Sequence, residues 1–176
     1  HSLYNGYTSV TGWTVVNNIT YRKIESSSTL FTSSKGEAFI ELGGTSIASK
    51  GAIYRTFNTE IGKTYYVFFD VSHNPDSYLQ GDYVVKKVTV TAASSSETVE
   101  IITNYTVPTK AIWKTKTFSF VASSTVTNLR FENTTDQFGD SKDIAYGPMI
   151  DNVVAVESSH VDTELNSSTT AESLLV

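Results

Sequence analysis

The chain has 176 residues, a formal net charge of −5 and a sequence pI near 5.1, with 39% hydrophobic and 12% aromatic residues. This length supplies one hydrophobic core and not comfortably two. The acidic balance disfavours a nucleic-acid or anionic-membrane surface, and no apolar run approaches the roughly 20 residues of a membrane span. The absence of cysteine excludes a disulfide framework and a thiolate zinc site.

Short strands separated by turn residues fill the first half of the chain. Ser and Thr supply 48 of the 176 residues and alternate with apolar residues, as on the wet face of a β-sheet. The last strand of this half alternates strictly, so Tyr65, Val67, Phe69 and Val71 share one face. The predicted strands of this half are 13–16, 19–24, 37–42, 52–57 and 65–71.

Alternation continues in the second half. Segments 84–92 and 98–105 are predicted to pair as a hairpin with its tip at Ser94–Ser96, and Trp113 is predicted to open the next strand. In each of three predicted strands, the period of two separates residues that point to the core from residues that point to solvent. Val88, Val90, Phe118, Phe120, Leu129 and Phe131 point inward, and Lys87, Thr89, Thr91, Thr117, Ser119, Arg130 and Glu132 point outward.

The final strand follows the turn at Gly147 and Pro148. Strict alternation places Ile150, Val154 and Val156 on one face and Val153 and Ala155 on the other. Apolar residues on both faces predict an interior strand. Beyond Val156 the composition changes to Ser, Thr, Glu and Asn, so we expect a domain over residues 1–157 and a tail over 158–176.

About ten short strands without a helical period predict an all-β antiparallel sandwich of the jelly-roll kind. The chain also resembles the choice-of-anchor C domains of secreted bacterial proteins. It is similar as well to a plant cell-wall family of galactose-binding-like domains without a settled activity. The most specific matching elements are Tyr146-Gly147-Pro148-x-Ile150-Asp151-Asn152-Val153 and Trp113-x-x-x-Thr117-Phe118-x-Phe120. Weaker matches are Phe39-Ile40-Glu41-Leu42, Tyr65-x-Val67-x-Phe69-Asp70 and Asn74-Pro75-Asp76.

This resemblance implies an extracellular, galactose-binding-like domain that is not an enzyme and that interacts with wall polysaccharide. Related modules hold a structural calcium between an acid near the N-terminus and the Asp of the last strand, which Asp151 matches. Tyr7, Thr8 and Ser9 stand where those modules carry a Phe-Glu pair, so one hard oxygen ligand is missing. The alternative role for Asp151 is a carboxylate that accepts backbone N–H bonds near the Gly-Pro turn.

Other metal or catalytic sets are weakly indicated. Asp136, Asp140 and Asp143 flank Gly139 with the composition of a calcium loop, and a solvated loop is the alternative. His1, His73 and His160 have no metal-binding spacing. Glu37 and Glu41 would lie roughly 13 Å apart on one strand. That distance exceeds the roughly 5–9.5 Å between glycosidase carboxylates, so no hydrolase is predicted.

Exposed aromatic side chains are the candidate sugar-binding groups, because their apolar rings stack on pyranose faces. Tyr54, Tyr78 and Tyr83, together with Asp76, form the predicted set. The alternative is that these tyrosines cover the edge of the core with their hydroxyl groups in water.

Four N-glycosylation sequons begin at Asn18, Asn104, Asn133 and Asn166 and favour an extracellular location. The start at His1 without Met fits a processed or cropped chain.

The tail has linker composition with β-competent ends at Val161 and Leu174-Leu175-Val176, and Leu165 lies between them. Exchange of this tail between copies would build a fibre or a ring, and the alternative is that the tail folds back on its own domain. We therefore expect a self-associating structural subunit of an extracellular fibre, coat or matrix, with copies of itself as partners. The alternative function is a carbohydrate-binding module for wall or matrix polysaccharide.

Overall fold

Two antiparallel sheets form the protein in the computed structural model, which describes residues 2–3, 10–24, 28–43, 50–76, 83–104, 110–136 and 146–160. The first sheet has six strands in the order β1-β3-β4-β11-β6-β9. The second has five strands in the order β2-β5-β10-β7-β8. The chain is therefore an all-β sandwich of the jelly-roll class, as predicted.

The strands are short and follow one another through turns. In chain order they are β1 (Ser2–Leu3), β2 (Thr14–Val16), β3 (Ile19–Lys23), β4 (Ala38–Glu41), β5 (Ala52–Asn58), β6 (Thr64–Ser72), β7 (Tyr83–Ala92), β8 (Ser95–Asn104), β9 (Lys114–Val121), β10 (Val126–Asn133) and β11 (Met149–Glu157). A 3-10 turn, Ser158–His160, ends the described chain.

The core lies between the sheets and is rich in aromatic residues. Phe69 of β6 and Phe131 of β10 meet edge to face with ring centroids 5.0 Å apart, and Trp13 lies 6.0 Å from Phe131. Both phenylalanines and Trp13 are almost completely buried. The predicted inward positions of β6, β7, β9 and β10 all belong to this core, because a strand that buries one face keeps strict alternation.

The last strand lies between β4 and β6, so its predicted interior position is confirmed. Its predicted faces are wrong. The register with β6 shifts between Asp151 and Val154, and Asn152 has a φ of 51°, which marks a β-bulge. The extra residue puts Val153 and Ala155 on the same core face as Ile150.

Two smaller corrections concern the ends of strands. The β7–β8 hairpin turns at Ala93 and Ser94, with Ala93 at a φ of 51°, and Ser95 and Ser96 already belong to β8. Trp113 precedes β9 and packs on the outer face of the six-stranded sheet, where Phe39, Ala111 and Met149 form a second apolar cluster.

A segment that we call the strap, residues 28–36, covers this second cluster. Trp113 Nε1 donates a hydrogen bond to Thr32 O at 2.9 Å, and the Arg22 guanidinium lies 3.9 Å from the centre of the Phe31 ring. The outer face of the six-stranded sheet is therefore partly enclosed.

Candidate functional site

The outward face of the five-stranded sheet carries a row of polar side chains around one aromatic ring. Thr14, Tyr54, Arg130 and Thr91 are register partners on four adjacent strands. All four are half-buried and have the outward parity of their strands. Directly opposed residues on neighbouring strands bring their Cβ atoms to about 5 Å, so the Tyr54 side chain neighbours Arg130.

Arg130 is held flat by Glu132, two residues further along β10. Its Nε lies 3.2 Å from Glu132 Oε2, and its terminal nitrogen lies 3.2 Å from Glu132 Oε1. The Arg130 and Glu132 side chains are 29% and 38% exposed. This two-point contact fixes a planar group that combines donors and acceptors beside the Tyr54 ring.

A chain of hydroxyl groups continues the surface on β7 and β8. Thr89 Oγ1 lies 2.8 Å from Thr98 Oγ1 and 2.8 Å from Thr134 Oγ1. A hydroxyl both donates and accepts, so this chain can reorient toward either kind of ligand group.

Lys87 lies beyond the hydroxyl chain on the same face of β7. Its Nζ is 2.6 Å from Asp136 and 3.4 Å from Glu100. The hydrogen bond with Asp136 raises the pKa of Lys87 and lowers the pKa of Asp136. Asp136, predicted as a calcium ligand, is here the ion-pair partner of a lysine. Asp140 and Asp143 lie outside the described residues.

The predicted sugar-binding residues do not all lie on this face. Tyr54 does, but Asp76 follows β6 in the other sheet, where its N–H donates to Asn74 Oδ1 at 2.9 Å. Tyr78 and the Tyr83 side chain lie outside the described residues. The sequence pattern predicted Tyr54 and the outward positions of Arg130 and Glu132. It could not join them, because that requires the register of β5 against β10.

Glu41 is a buried acid on the outer face of the six-stranded sheet, and sequence reasoning considered it only as half of a catalytic pair. Its contact with Arg22 is long, at 3.5 Å. Burial outweighs the attraction of Arg22 and raises the pKa of Glu41 to about 7, and the charge of Asp76 adds to the rise. Glu37 is exposed and pairs with Lys23 at 3.4 Å, so the two acids lie in different environments.

Asp151 lies directly opposite Asp70, on the same outer face. Its Oδ2 accepts N–H bonds from Ser34 at 2.7 Å and Lys35 at 2.9 Å, and its Oδ1 accepts the Asn152 N–H at 2.7 Å. Burial raises the pKa of Asp151, and these three bonds oppose the rise. This carboxylate fastens the strap to β11, which is the hydrogen-bonding role given above as the alternative to calcium.

Asp70 is surrounded in the same way. It accepts the Ser34 hydroxyl, the Thr115 hydroxyl at 2.5 Å and the Asn152 amide at 3.0 Å. Donors therefore face the oxygens of both acids, and this geometry does not suit a calcium ion. Among the described residues, no three His, Cys, Asp or Glu side chains group together as a metal site.

Replacing Asp151 with Asn is expected to loosen the strap, because an Nδ2 group would then face the N–H groups of Ser34 and Lys35. We expect a loss of about 2 kcal/mol in the free energy of unfolding. Amide hydrogen exchange should also become faster over residues 30–36. Unchanged exchange there would show that Asp151 does not hold the strap.

The predicted glycosylation sites differ in access. Asn133 is completely buried, and its Nδ2 donates to Leu42 O at 2.9 Å, so this predicted site is wrong for the folded protein. Asn18 is half-buried next to the β2–β3 turn. The Asn104 side chain and Asn166 lie outside the described residues.

The tail residues that were predicted to support assembly also lie outside the described residues. They are Val161, Leu165, Leu174, Leu175 and Val176. The helical segments formed by the described residues lack the length and apolar character needed to cross a membrane.

Fold and surface together define a two-sheet β-sandwich with one strapped face and one polar face that none of the described segments covers, which we call the open face. The chain belongs to the family described as "Protein of unknown function (DUF642)", which matches residues 1–157. This match agrees with the resemblance to a plant cell-wall family of unassigned function. No comparison supports a choice-of-anchor C domain. No curated protein matches the chain.

Solved structures with a similar fold include carbohydrate-binding modules. The chain is 13% identical to TmCBM61, which was solved with β-1,4-galactotriose. The match covers 87% of this chain and 92% of that one, at a TM-score of 0.48. The chain is 10% identical to the CBM22-1 xylan-binding domain of Paenibacillus barcinonensis Xyn10C, with 89% of this chain and 92% of that one covered at a TM-score of 0.49.

A third similar structure is the enzymatically active domain of bacteriophage CBA120 tailspike protein 4. The identity is 12%, with 88% of this chain but only 21% of that one covered, at a TM-score of 0.47. Likenesses at these identities describe the fold and do not establish what the chain binds.

Proposed function

We propose that this protein is a non-catalytic, extracellular domain that binds a wall or matrix polysaccharide on the open face of its five-stranded sheet. The observation that carries this proposal is the position of Tyr54 beside the planar Arg130–Glu132 pair. Sugar rings present C–H groups on their faces and hydroxyl groups at their edges. An aromatic ring with fixed polar groups beside it suits both.

The hydrogen-bonding capacity of the face supports the same ligand class. Threonine hydroxyls, three carboxylates and two cationic groups lie within a few strand spacings, and most of them are already oriented by one another. Oriented groups lose little conformational entropy when a ligand binds, so even a weakly contacting glycan gains affinity.

The charge of this face disfavours the other common partner of an open sheet, a nucleic acid. Glu132, Glu100 and Asp136 outnumber Arg130 and Lys87, and each cation is paired. A phosphate backbone needs unpaired cations in excess.

The predicted fibre or coat subunit, which would join copies of itself through the tail, has no observation among the described residues in its favour. Carbohydrate binding is therefore the better-supported of the two functions. The membership in the family and the half-buried sequon at Asn18 support an extracellular setting.

The test compares Tyr54→Ala with Tyr66→Ala, because Tyr66 is also a half-buried tyrosine but lies on the other sheet. Wild type and variants are assayed for binding to a panel of insoluble and soluble plant and microbial polysaccharides. We expect Tyr54→Ala to weaken binding about tenfold or more, since lost stacking is worth on the order of 1–2 kcal/mol.

Tyr66→Ala should keep the wild-type affinity. Binding to no polysaccharide in the panel, or equal loss in both variants, would overturn the proposal. Thermal unfolding of each variant shows that a lost affinity does not reflect a lost fold.

A further inference from the structure

A depression of about 260 Å³ lies at one end of the sandwich, between the β7–β8 turn and the β9–β10 turn. Thr91 and Ala93 contribute one side, Ser123 and Ser124 another, and Val126 and Asn128 the start of β10. Its volume equals that of about nine water molecules in the liquid and falls below the range of about 300–1,000 Å³ for drug-sized ligands. A single small ring fits it better than a chain.

The walls of this depression are built from tightly bonded turns. Thr59 Oγ1 donates to Ser124 O at 2.8 Å and lies 2.9 Å from Thr127 Oγ1. Backbone bonds add Thr59 N to Thr125 O at 2.9 Å and Gly62 N to Ala122 O at 2.8 Å. The turn that carries Ser123 and Ser124 is therefore fixed against the β5–β6 turn before any ligand arrives.

Three polar side chains at the depression have no protein partner among the described residues: Thr91, Ser123 and Asn128. Two hydroxyls and one amide together can donate and accept several hydrogen bonds. On the open sheet face, in contrast, Thr89, Arg130 and Glu132 already bond to protein neighbours.

The remaining lining combines alanine and valine with Ser124 and Thr127, whose hydroxyl groups bond within the protein. Val126 is 51% exposed, although it is a large apolar residue, and Ala93 is also exposed. Among the residues that the structure describes, no charged side chain lines the depression. Methyl groups beside unpaired hydroxyl and amide groups suit a neutral ligand that alternates C–H and O–H groups.

We propose that this depression, which we call the end pocket, binds one neutral sugar ring, such as the terminal residue or a side branch of a glycan. The end pocket borders the sheet face around Tyr54, with Thr91 common to both, and it rests on the proposed function for the class of ligand. Two sites on one domain hold a branched or folded glycan more tightly than either does alone, because the second contact forms at high effective concentration.

The test is an amide-resolved NMR titration with the methyl glycosides of glucose, galactose, mannose and xylose. Saturable shifts with a dissociation constant in the millimolar range are expected at residues 91–93 and 123–128 for at least one glycoside. Asn128→Ala should weaken that binding about tenfold or more, and Ser123→Phe, which fills the pocket from an exposed position, should abolish it.

Ser119→Phe serves as the matched control, because Ser119 is also an exposed serine and lies on β9 outside the pocket lining. It should bind as wild type does. Tyr54→Ala should also keep the shifts at the end pocket, which separates this site from the sheet face. The proposal is overturned if no glycoside gives saturable shifts there, or if Ser123→Phe binds as well as wild type.

Discussion

Replacing Glu41 with glutamine is expected to raise the free energy of unfolding at pH 8 by up to about 3 kcal/mol and to change it little at pH 4.5. Burial raises the pKa of Glu41 in the folded protein to about 7, from 4.5 in the unfolded chain. Each unit of difference is worth about 1.4 kcal/mol. Glutamine keeps the shape of the protonated acid and never acquires the buried charge.

The sign follows from proton binding. Between pH 4.5 and 7 the folded protein holds a proton on Glu41 that the unfolded chain has lost. The stabilising contribution is therefore fully present below pH 4.5 and is lost as the pH rises through 7. Wild-type stability should fall over this interval, and the fall should be smaller in Glu41→Gln.

The neighbours of Glu41 explain why Arg22 does not hold it charged. The Arg22 contact is long at 3.5 Å, and Arg22 Nε is buried without a hydrogen-bond partner among the described residues. Asp76 adds a repelling charge. A buried pair with such poor geometry does not recover its desolvation cost.

Urea unfolding at pH 4.5, 6 and 8 measures this effect, with Glu37→Gln as control. Glu37 lies four positions before Glu41 in the sequence, but its side chain is 80% exposed. Its substitution should leave the pH dependence unchanged. A wild-type stability that rises from pH 4.5 to 8, or an equal slope in Glu41→Gln, would contradict the assignment.

Replacing Gly147 with alanine is expected to destabilise the protein by about 3 kcal/mol or more. A Cβ atom at this position would lie 2.5 Å from Gly43 N, 2.6 Å from Leu42 C and 2.7 Å from Leu42 O. Overpacking against side chains costs about 1–3 kcal/mol, and backbone atoms can give way less easily.

Leu42 cannot move without breaking other contacts. Its N–H donates to Pro148 O at 2.9 Å, and its carbonyl accepts from Gly51 N at 3.2 Å and from the buried Asn133 amide at 2.9 Å. Gly147 is therefore required because β4 and the entry to β11 approach closely, and not only because a turn occurs there.

Gly36→Ala provides the control for the Gly147 substitution. Gly36 has a φ of 69°, and a Cβ atom added there would meet no other atom within 4 Å. The alanine substitution therefore costs only the conformational strain of about 1 kcal/mol. Thermal or urea unfolding should rank the variants as wild type, then Gly36→Ala, then Gly147→Ala. Equal losses in the two variants would show that crowding at Gly147 is absent.

The alternation of single strands was predictable, and the relations between strands were not. Phe118, Phe120, Leu129 and Phe131 have the orientation that a period of two predicts. The faces of β11 were mispredicted because one bulge residue, Asn152, breaks that period. A non-Gly residue with positive φ leaves only a weak sequence signal, although Asn is among the residues that tolerate it best.

The candidate site shows the same division. Tyr54 was identified as an exposed aromatic, but its neighbour Arg130 is 76 positions away in the chain and becomes adjacent only through the β5–β10 register. Glu41 was predicted to lie in a strand, and it is the last residue of β4. Its burial depends on what covers the outer face of the six-stranded sheet, and alternation within β4 contains no information about that cover.

The most direct measurement for carbohydrate binding on the open sheet face is the map of amide and side-chain NMR shifts caused by an oligosaccharide of the polysaccharide that binds best. The largest shifts should fall on Tyr54, Arg130, Glu132 and Thr89, on the outward side of β5, β10 and β7. Saturable shifts confined to the strapped face of the six-stranded sheet, around Phe31 and Trp113, would contradict this account.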